Sequence, residues 1–137
     1  MITDNKELRF GVNYVPSKEW FYSWQSFHTE NFLRHTEEDF AAISSLGVDH
    51  IRLHLRWDLF QPNETYVSEE MLNRLKSVLD LAQKYGLQAE VTAFNGWMSG
   101  FWFLPSFAWQ ENLISGARQI ENEIYFLTKL SEKIADH

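Results

Sequence analysis

Polar and apolar residues alternate strictly in segment 50–57 (HIRLHLRW), and the polar positions offer the first chemistry. Arg52, His54 and Arg56 share one face of such a strand, while the isoleucine and both leucines share the other. A buried unpaired charge is strongly unfavourable, so an inward-facing arginine needs a carboxylate partner. Glu90, in the next predicted strand, has the matching parity. Two explanations stay open: an ion pair that satisfies a polar interior, or an arginine beside an active-site carboxylate.

Aromatic side chains provide the second kind of chemistry. They make up 16% of the chain and concentrate in two segments, 14–32 and 94–109. Sugar rings present apolar C–H faces that stack on aromatic planes, and an indole N–H can donate to a hydroxyl. Long loops also need small cores of their own, so we expect part of each segment to be such a core. The tryptophans that we predict to face a sugar are Trp20, Trp24, Trp97 and Trp102.

Metal and cofactor chemistry finds no support in the sequence. His50 and His54 share a strand face but lie about 13 Å apart at the usual rise per residue, too far for one ion to bridge. The chain contains no cysteine, which removes disulfides, thiolate chemistry and cysteine–zinc sites. It also has no glycine-rich phosphate loop. We therefore predict neither a metal nor a cofactor.

Three strand-like segments alternate with three helix-like segments, and these elements must position the polar and aromatic residues. Strands are predicted at 8–15, 50–57 and 87–94. The first helix is predicted to begin at Thr36 and to stop at Gly47, and the second to run from a Ser68 cap to Gly86. The last helix carries an apolar stripe formed by Ile120, Ile124, Leu127, Leu130 and Ile134. Connections of this length favour βαβ crossovers and parallel strands.

The face pattern of the strands decides between two α/β architectures. Central strands of a doubly wound sheet are apolar on both faces, because both faces meet helices. Here each strand has one apolar and one polar face, which is typical of barrel staves. A complete (β/α)₈ barrel takes about 250 residues. The sequence thus predicts a partial TIM (β/α)₈ barrel of the first three βα units, with residues 1–137 as one N-terminal portion.

Composition excludes several classes of partner. The net charge of −7 gives no basic footprint for nucleic acid or an anionic membrane. No apolar run reaches the roughly 18–20 residues that a membrane span needs. The first ten residues lack the pattern of a secretory signal, so we expect a cytoplasmic location. Open sheet edges make self-association possible.

Three segments of the chain carry a family resemblance: residues 11–16 (GVNYVP), 47–62 and 92–107. Together they resemble the N-terminal part of clan A glycoside hydrolases, closest to the cellulase- and mannanase-like members of family 5. The matching positions are Gly11 and Asn13, then Arg52, Trp57, Phe60, Gln61 and Pro62, and finally Met98, Ser99, Gly100, Leu104 and Pro105.

The resemblance implies a (β/α)₈ barrel and retaining hydrolysis of β-linked glycans such as mannan or glucan. That chemistry needs two carboxylates about 5–5.5 Å apart, which the family places on strands four and seven, beyond the strands predicted here. The Asn-Glu pairs at 63–64 and 122–123 stand outside the family context, and strand three ends in Phe94 and Asn95 where many members have a histidine. We therefore expect that this chain contains no catalytic residue and that Arg52 supports the nucleophile carried elsewhere in the barrel. We also expect the isolated chain to be inactive.

Two other functions stay open: a non-catalytic carbohydrate-binding protein and an inactive half-barrel. For the hydrolase and for the carbohydrate-binding protein, the predicted partner is an oligosaccharide or polysaccharide. The residues predicted to contact the substrate are Asn13, Trp20, Trp24, Arg52, Trp57, Asn95, Trp97 and Trp102.

Overall fold

A computed structural model of the chain describes residues 9–26, 28–95 and 100–137, and the backbone of 97–98. The elements in chain order are β1 (Gly11–Tyr14), a 3₁₀ helix (Trp20–Gln25), α1 (Thr29–Ser45), β2 (His50–His54), α2 (Trp57–Phe60), α3 (Glu69–Lys84), β3 (Gln88–Thr92), β4 (Trp97–Met98), β5 (Phe101–Trp102), a second 3₁₀ helix (Ser106–Trp109) and α4 (Ala117–Ile134). No helix in these described ranges is both long and apolar enough to span a membrane.

The first three strands form one parallel sheet in the order β1-β2-β3. In its register Arg52 lies opposite Asn13 on one side and Glu90 on the other. Ile51 and Leu53 are buried in a core to which α1, α3 and α4 contribute, whereas Arg52 is exposed. The helices therefore cover one face of the sheet and leave the polar face open. This confirms the partial (β/α)₈ architecture.

Capping and termination of the helices follow the sequence in two places. The Ser68 hydroxyl oxygen accepts a hydrogen bond from the Met71 backbone N–H at 3.3 Å, which satisfies one donor of the first turn of α3. Gly47 and Gly86, just beyond α1 and α3, have φ values of 78° and 68°. This left-handed conformation favours glycine and ends a helix.

The predicted start of the first helix at Thr36 is wrong, because α1 begins seven residues earlier at Thr29. Thr36 lies in the middle of the helix, where it is buried and its hydroxyl donates to the Phe32 carbonyl oxygen at 2.9 Å. Phe32, Thr36 and Phe40 lie one turn apart on the buried face. The apolar face thus extends upstream of the threonine, which acts as a core residue rather than a cap.

The predicted apolar stripe of the last helix is largely not its buried face. Ile120, Ile124 and Leu127 stay 40%, 57% and 40% exposed. Phe126 packs on Phe60 and on Phe94 instead, with ring centroids 6.2 and 5.7 Å apart. The residues that α4 buries are Gln119, Asn122, Phe126 and Leu130. An apolar stripe of three residues is therefore left on the surface.

At the amino ends of the strands, Gly11 lies against the His50 ring. A Cβ built on Gly11 would come within 2.0 Å of His50 Nε2. The ring is held there by a contact between its Nδ1 and the Asp49 carboxylate, which also binds Arg9. The Arg9 hydrogen bond lowers the pKa of Asp49, and the His50 contact lowers it further. A side chain at position 11 would therefore force the His50 ring to move away from the Asp49 carboxylate.

We expect Gly11→Ala to lower the free energy of unfolding by about 1–3 kcal/mol, the usual cost of overpacking. The added methyl group must displace the imidazole and break its contact with Asp49. In a His50→Ala background the same change should cost much less, since the ring is gone. Urea unfolding of the four variants in this cycle measures the coupling. Equal costs in both backgrounds would contradict the steric explanation.

We expect the 137-residue chain to self-associate through its open sheet edges and the exposed stripe of α4. Replacing Ile124 and Leu127 together by Glu should lower the mean mass, because two charges cannot be buried in an apolar contact. Light scattering over a concentration series measures the mass. The matched control adds two charges at exposed polar sites, Asn31→Glu with Asn73→Glu. A wild-type chain that stays monomeric at high concentration would disprove the association.

Candidate functional site

The open face of the sheet carries the ion pair that the sequence predicts. Arg52 Nε lies 3.6 Å from Glu90 Oε1 and donates to Thr92 Oγ1 at 2.9 Å. The side chains of Arg52 and Glu90 are 46% and 70% exposed, so the pair contributes little stability. Asn13, next to Arg52 in the register, is exposed on the same face. Arg52 therefore keeps hydrogen-bonding capacity for a ligand on this face.

Arg56, which the sequence pattern places on the same strand face as Arg52, pairs with Asp58 and not with Glu90. Its Nε donates to Asp58 Oδ1 at 3.0 Å, and its Nη2 contacts Oδ2 of the same residue. The guanidinium carbon lies 4.5 Å from the Phe103 ring centroid and 5.6 Å from that of Tyr22. Such cation–π contacts are strongest when desolvated, and this side chain is almost fully buried. Arg56 thus joins the loop after β1 to the loop after β3.

Trp24 belongs to the core of the first loop, contrary to the prediction that it faces a sugar. Its ring is 2% exposed and packs against Phe32 and Phe60. Its indole N–H donates to the His54 carbonyl oxygen at 3.2 Å, and its own carbonyl accepts from Arg74 Nη1 at 2.7 Å. With both polar groups bonded inside the protein, no ring face is open to a ligand.

Trp57 is also buried, although it was predicted to contact the substrate. β2 ends at His54, and Trp57 begins the short helix α2. The helical turn directs its ring into the core, where it meets Phe94 edge-on at 4.8 Å, and its indole N–H donates to Gln61 Oε1 at 2.8 Å. A strand continued to residue 57 would have kept the period-2 pattern, but the change of element breaks it.

Trp20 is half-buried and lies at the meeting point of the two loops. Its ring lies 5.4 Å from Phe101 and 5.8 Å from Tyr22, and both of these rings are about half exposed. Glu19 and Trp20 have φ values of 62° and 51°. Two consecutive non-glycine residues in this region are strained, and such strain concentrates at functional sites. Trp20, Tyr22 and Phe101 are called the aromatic surface below.

The remaining predicted tryptophans lie in the second loop. Trp102 is half-exposed and meets Trp109 edge-on at 5.8 Å. The side chain of Trp97 lies outside the described residues, as does Ser99 of the family pattern. Trp102 therefore has a ring that is about half exposed.

His54 and Asn95 form a buried pair at the carboxyl ends of β2 and β3. His54 Nδ1 lies 3.2 Å from Asn95 Oδ1, and Asn95 Nδ2 donates to the Leu55 carbonyl oxygen at 2.7 Å. Burial lowers the pKa of His54; its hydrogen bond to Asn95 opposes that shift, and the nearby Arg52 charge adds to it. Asn95 was predicted as a site residue, but His54 was not. The sequence signal that could have found His54 is its place two residues after Arg52, on the same face of the strand.

No group of three or more histidine, aspartate or glutamate side chains within the described ranges is arranged to hold a metal ion. The acidic residue near the carboxyl end of β1 has a structural role instead. Asp39 accepts hydrogen bonds from the Tyr14 hydroxyl and the Ser17 backbone N–H, each at 2.9 Å. Burial, reinforced by the Asp39 charge, raises the pKa of Tyr14. This hydroxyl therefore stays protonated and ties the end of β1 to α1, while the Ser17 N–H ties the following loop to the same carboxylate.

Comparison with known proteins gives relatives of one kind. No protein-family model matches the chain. Among curated proteins, cellodextrinase A of Ruminococcus flavefaciens is 37% identical over 59 residues, which are 43% of this chain and 17% of that protein.

Solved structures extend the similarity to nearly the whole chain. A GH5_18 variant from Streptomyces cattleya, in complex with Manβ1-4GlcNAc, has a TM-score of 0.88 and 33% identity, and the match covers 96% of this chain and 32% of that one. A GH5_18 variant from Bifidobacterium longum subsp. longum, also in complex with Manβ1-4GlcNAc, has a TM-score of 0.87 and 30% identity, and the match covers 96% of this chain and 31% of that one. The exo-β-1,4-mannosidase Op5Man5 of an Opitutaceae bacterium has a TM-score of 0.83 and 28% identity, and the match covers 93% of this chain and 22% of that one.

The chain thus spans about a third of the length of the GH5_18 structures that it matches. Its parallel sheet, its open polar face and its identity to these proteins all agree with the resemblance that the sequence carries. By sequence and fold the chain resembles the family 5-like clan A glycoside hydrolases over 96% of its own length, and the matched part makes up about a third of theirs.

Proposed function

We propose that this chain is the N-terminal portion of a retaining β-glycoside hydrolase and forms one wall of its glycan cleft. The observation that carries the proposal is an open polar sheet face in a fold whose loops after β1 and β3 build an aromatic surface. The polar face carries Asn13, Arg52 and Glu90. The aromatic surface lies around Trp20. Hydroxyl groups suit the first, and the C–H faces of a sugar ring suit the second.

The substrate that we propose is a β-linked glycan containing mannose. Two of the matched GH5_18 structures are complexes with Manβ1-4GlcNAc, and another match is an exo-β-1,4-mannosidase. The curated relative is a cellodextrinase, which keeps a β-linked glucan as the second choice. Both choices share the β-linkage, which is the feature that the comparisons support best.

Under this proposal the chain positions the substrate but does not supply the reacting carboxylates. Retaining hydrolysis needs two carboxyl groups about 5–5.5 Å apart, one as nucleophile and one as acid/base. Asp58 is bound by Arg56, and Glu90 pairs with Arg52 on the open face. We assign to Arg52 the role of stabilising the charge of a nucleophile carboxylate carried by another part of the barrel.

The two Asn-Glu pairs of the sequence serve contacts between helices. Glu64 binds Arg118 of α4, and the Asn122 carbonyl oxygen accepts from Gln61 Nε2 at 3.1 Å. Both contacts join the segment that follows α2 to α4. They therefore support no catalytic role, and the assignment of the acid/base to another part of the barrel stands within the proposal.

A non-catalytic carbohydrate-binding protein is the second candidate function. The same observation favours it, since the aromatic surface and Arg52 can bind a sugar without any reaction. The two candidates differ in what the complete protein does: a hydrolase releases reducing sugar from β-mannan, whereas a binding protein only retains it.

We expect the 137-residue chain to leave β-mannan and β-glucan intact and to bind Manβ1-4GlcNAc weakly. Trp20→Ala should weaken that binding about 2- to 12-fold, the loss of one stacking contact of about 0.5–1.5 kcal/mol. Tyr66→Ala, at a half-exposed aromatic residue in the turn before α3 and outside the aromatic surface, is the control. A reducing-sugar assay and a binding titration give the two readouts.

Robust turnover by this chain that disappears in Glu90→Gln would show that it carries a catalytic carboxylate after all. Binding that survives Trp20→Ala unchanged would remove the aromatic surface from the site.

We expect Arg56→Met to lower the free energy of unfolding by about 1–3 kcal/mol, because it leaves a partly buried Asp58 without its charge partner. It should also weaken sugar binding, since the two loops lose the group that joins them. Arg34→Met breaks an exposed pair with Glu38 and should cost below about 0.5 kcal/mol. Urea unfolding measures both, and equal costs would contradict the role of Arg56.

A further inference from the structure

We propose that His54, held by Asn95 as the tautomer protonated at Nδ1, presents its Nε2 as a hydrogen-bond acceptor to a hydroxyl group of the glycan. This inference rests on the proposed function and names one polar contact within it. His54 would thereby be a residue that positions the sugar, beside Arg52 on the same strand face.

The orientation of the Asn95 amide fixes the tautomer. The Leu55 carbonyl oxygen can only accept, so the amide group 2.7 Å from it must be the NH₂ of Asn95. Its Oδ1 then faces His54 Nδ1 at 3.2 Å. An amide oxygen can only accept as well, so the proton of this hydrogen bond belongs to Nδ1. Both polar atoms of Asn95 are thus bonded, and a flipped amide would leave the carbonyl facing another acceptor.

The second ring nitrogen is unprotonated and accessible. Burial of the ring lowers the pKa of His54, and the charge of Arg52 acts in the same direction, against the opposing effects of Asn95 and Glu90. At neutral pH the ring therefore holds a single proton, at Nδ1. Nε2 has no hydrogen-bond partner within the described ranges. The side-chain atoms there that are both unpaired and fully buried are Ser23 Oγ, Arg56 Nη1 and Arg74 Nε, and Nε2 is not one of them. A small part of Nε2 is therefore exposed, although His54 as a whole is only 6% exposed.

The position of His54 places this acceptor where the proposed cleft lies. It is the last residue of β2, on the open face with Arg52, and the Phe21 ring stands edge-on at 6.2 Å beside it. Arg52 lies two residues earlier, about 7 Å along the strand. An arginine can only donate and Nε2 of this tautomer can only accept. Together they complement sugar hydroxyls, which do both.

The tautomer is tested on the wild-type chain by the ¹⁵N resonances of the imidazole at pH 7.5, with His54→Gln to assign them. We expect a protonated Nδ1 and an unprotonated Nε2. In Asn95→Leu, which removes the acceptor, the preference for Nδ1 should be lost. A wild-type ring protonated at Nε2 overturns the proposal, because that ring would donate and not accept.

The ligand contact is tested by titration with Manβ1-4GlcNAc. We expect the Nε2 resonance of His54 to shift and that of His50, at the other end of β2, to stay. His54→Leu should weaken binding about 2- to 12-fold, the value of one neutral hydrogen bond of about 0.5–1.5 kcal/mol. His54→Gln, whose side-chain oxygen can take the place of Nε2, should recover part of the affinity.

The outcomes separate the two levels of inference. Binding of the sugar with an unmoved Nε2 resonance, and with equal affinity in His54→Leu, overturns the role of His54 while the proposed function stands. A wild-type chain that binds no sugar defeats the proposed function, and the ligand role of His54 fails with it, whichever tautomer is found.

Discussion

The alternation of faces along β2 is the constraint on which the rest of the structure depends. Ile51 and Leu53 enter the helix-covered core, so Arg52 and His54 must face the other way. A slip of one residue would place the arginine among the helices, at the cost of an unpaired buried charge. Because β1 and β3 are in register with this central strand, its parity also sets the face of Glu90. The polar groups that the strands contribute to the candidate site are all placed by that alternation.

Much of the fold could be predicted because it depends on local rules. Period-2 strands, the Ser68 cap and the glycines after α1 and α3 are each read from a few neighbouring residues. The errors arose where a distant contact decides. Thr36 has the residue type of a cap but is buried within α1, and α4 buries the face that meets Phe60 and Phe94 rather than its most apolar stripe. Periodicity shows that a helix has an apolar stripe, but not what covers it.

The candidate site divides in the same way. Pairing of Arg52 with Glu90 could be predicted because parity and strand order are regular. The burial of Trp24 and Trp57 could not, since loop residues follow no period and a ring can serve a core or a ligand equally well. The pair of His54 and Asn95 was missed because it joins the end of a strand to a loop, where only the three-dimensional path brings two side chains together.

Arginine is the residue that fixes both aromatic loops, and its chemistry explains why. A planar guanidinium can bind a carboxylate at its edge while its face lies on an aromatic ring, and a lysine cannot do both. Arg56 uses Asp58 and Phe103 in this way. On the open face, by contrast, Arg52 is half in water, where its attraction for an anion is weak. Enclosure of that face by further strands would lower the local dielectric and strengthen the attraction several-fold. In the proposed complete barrel, the charge that the sheet carries at little cost in water would therefore act on an anion more strongly than it does on the open face.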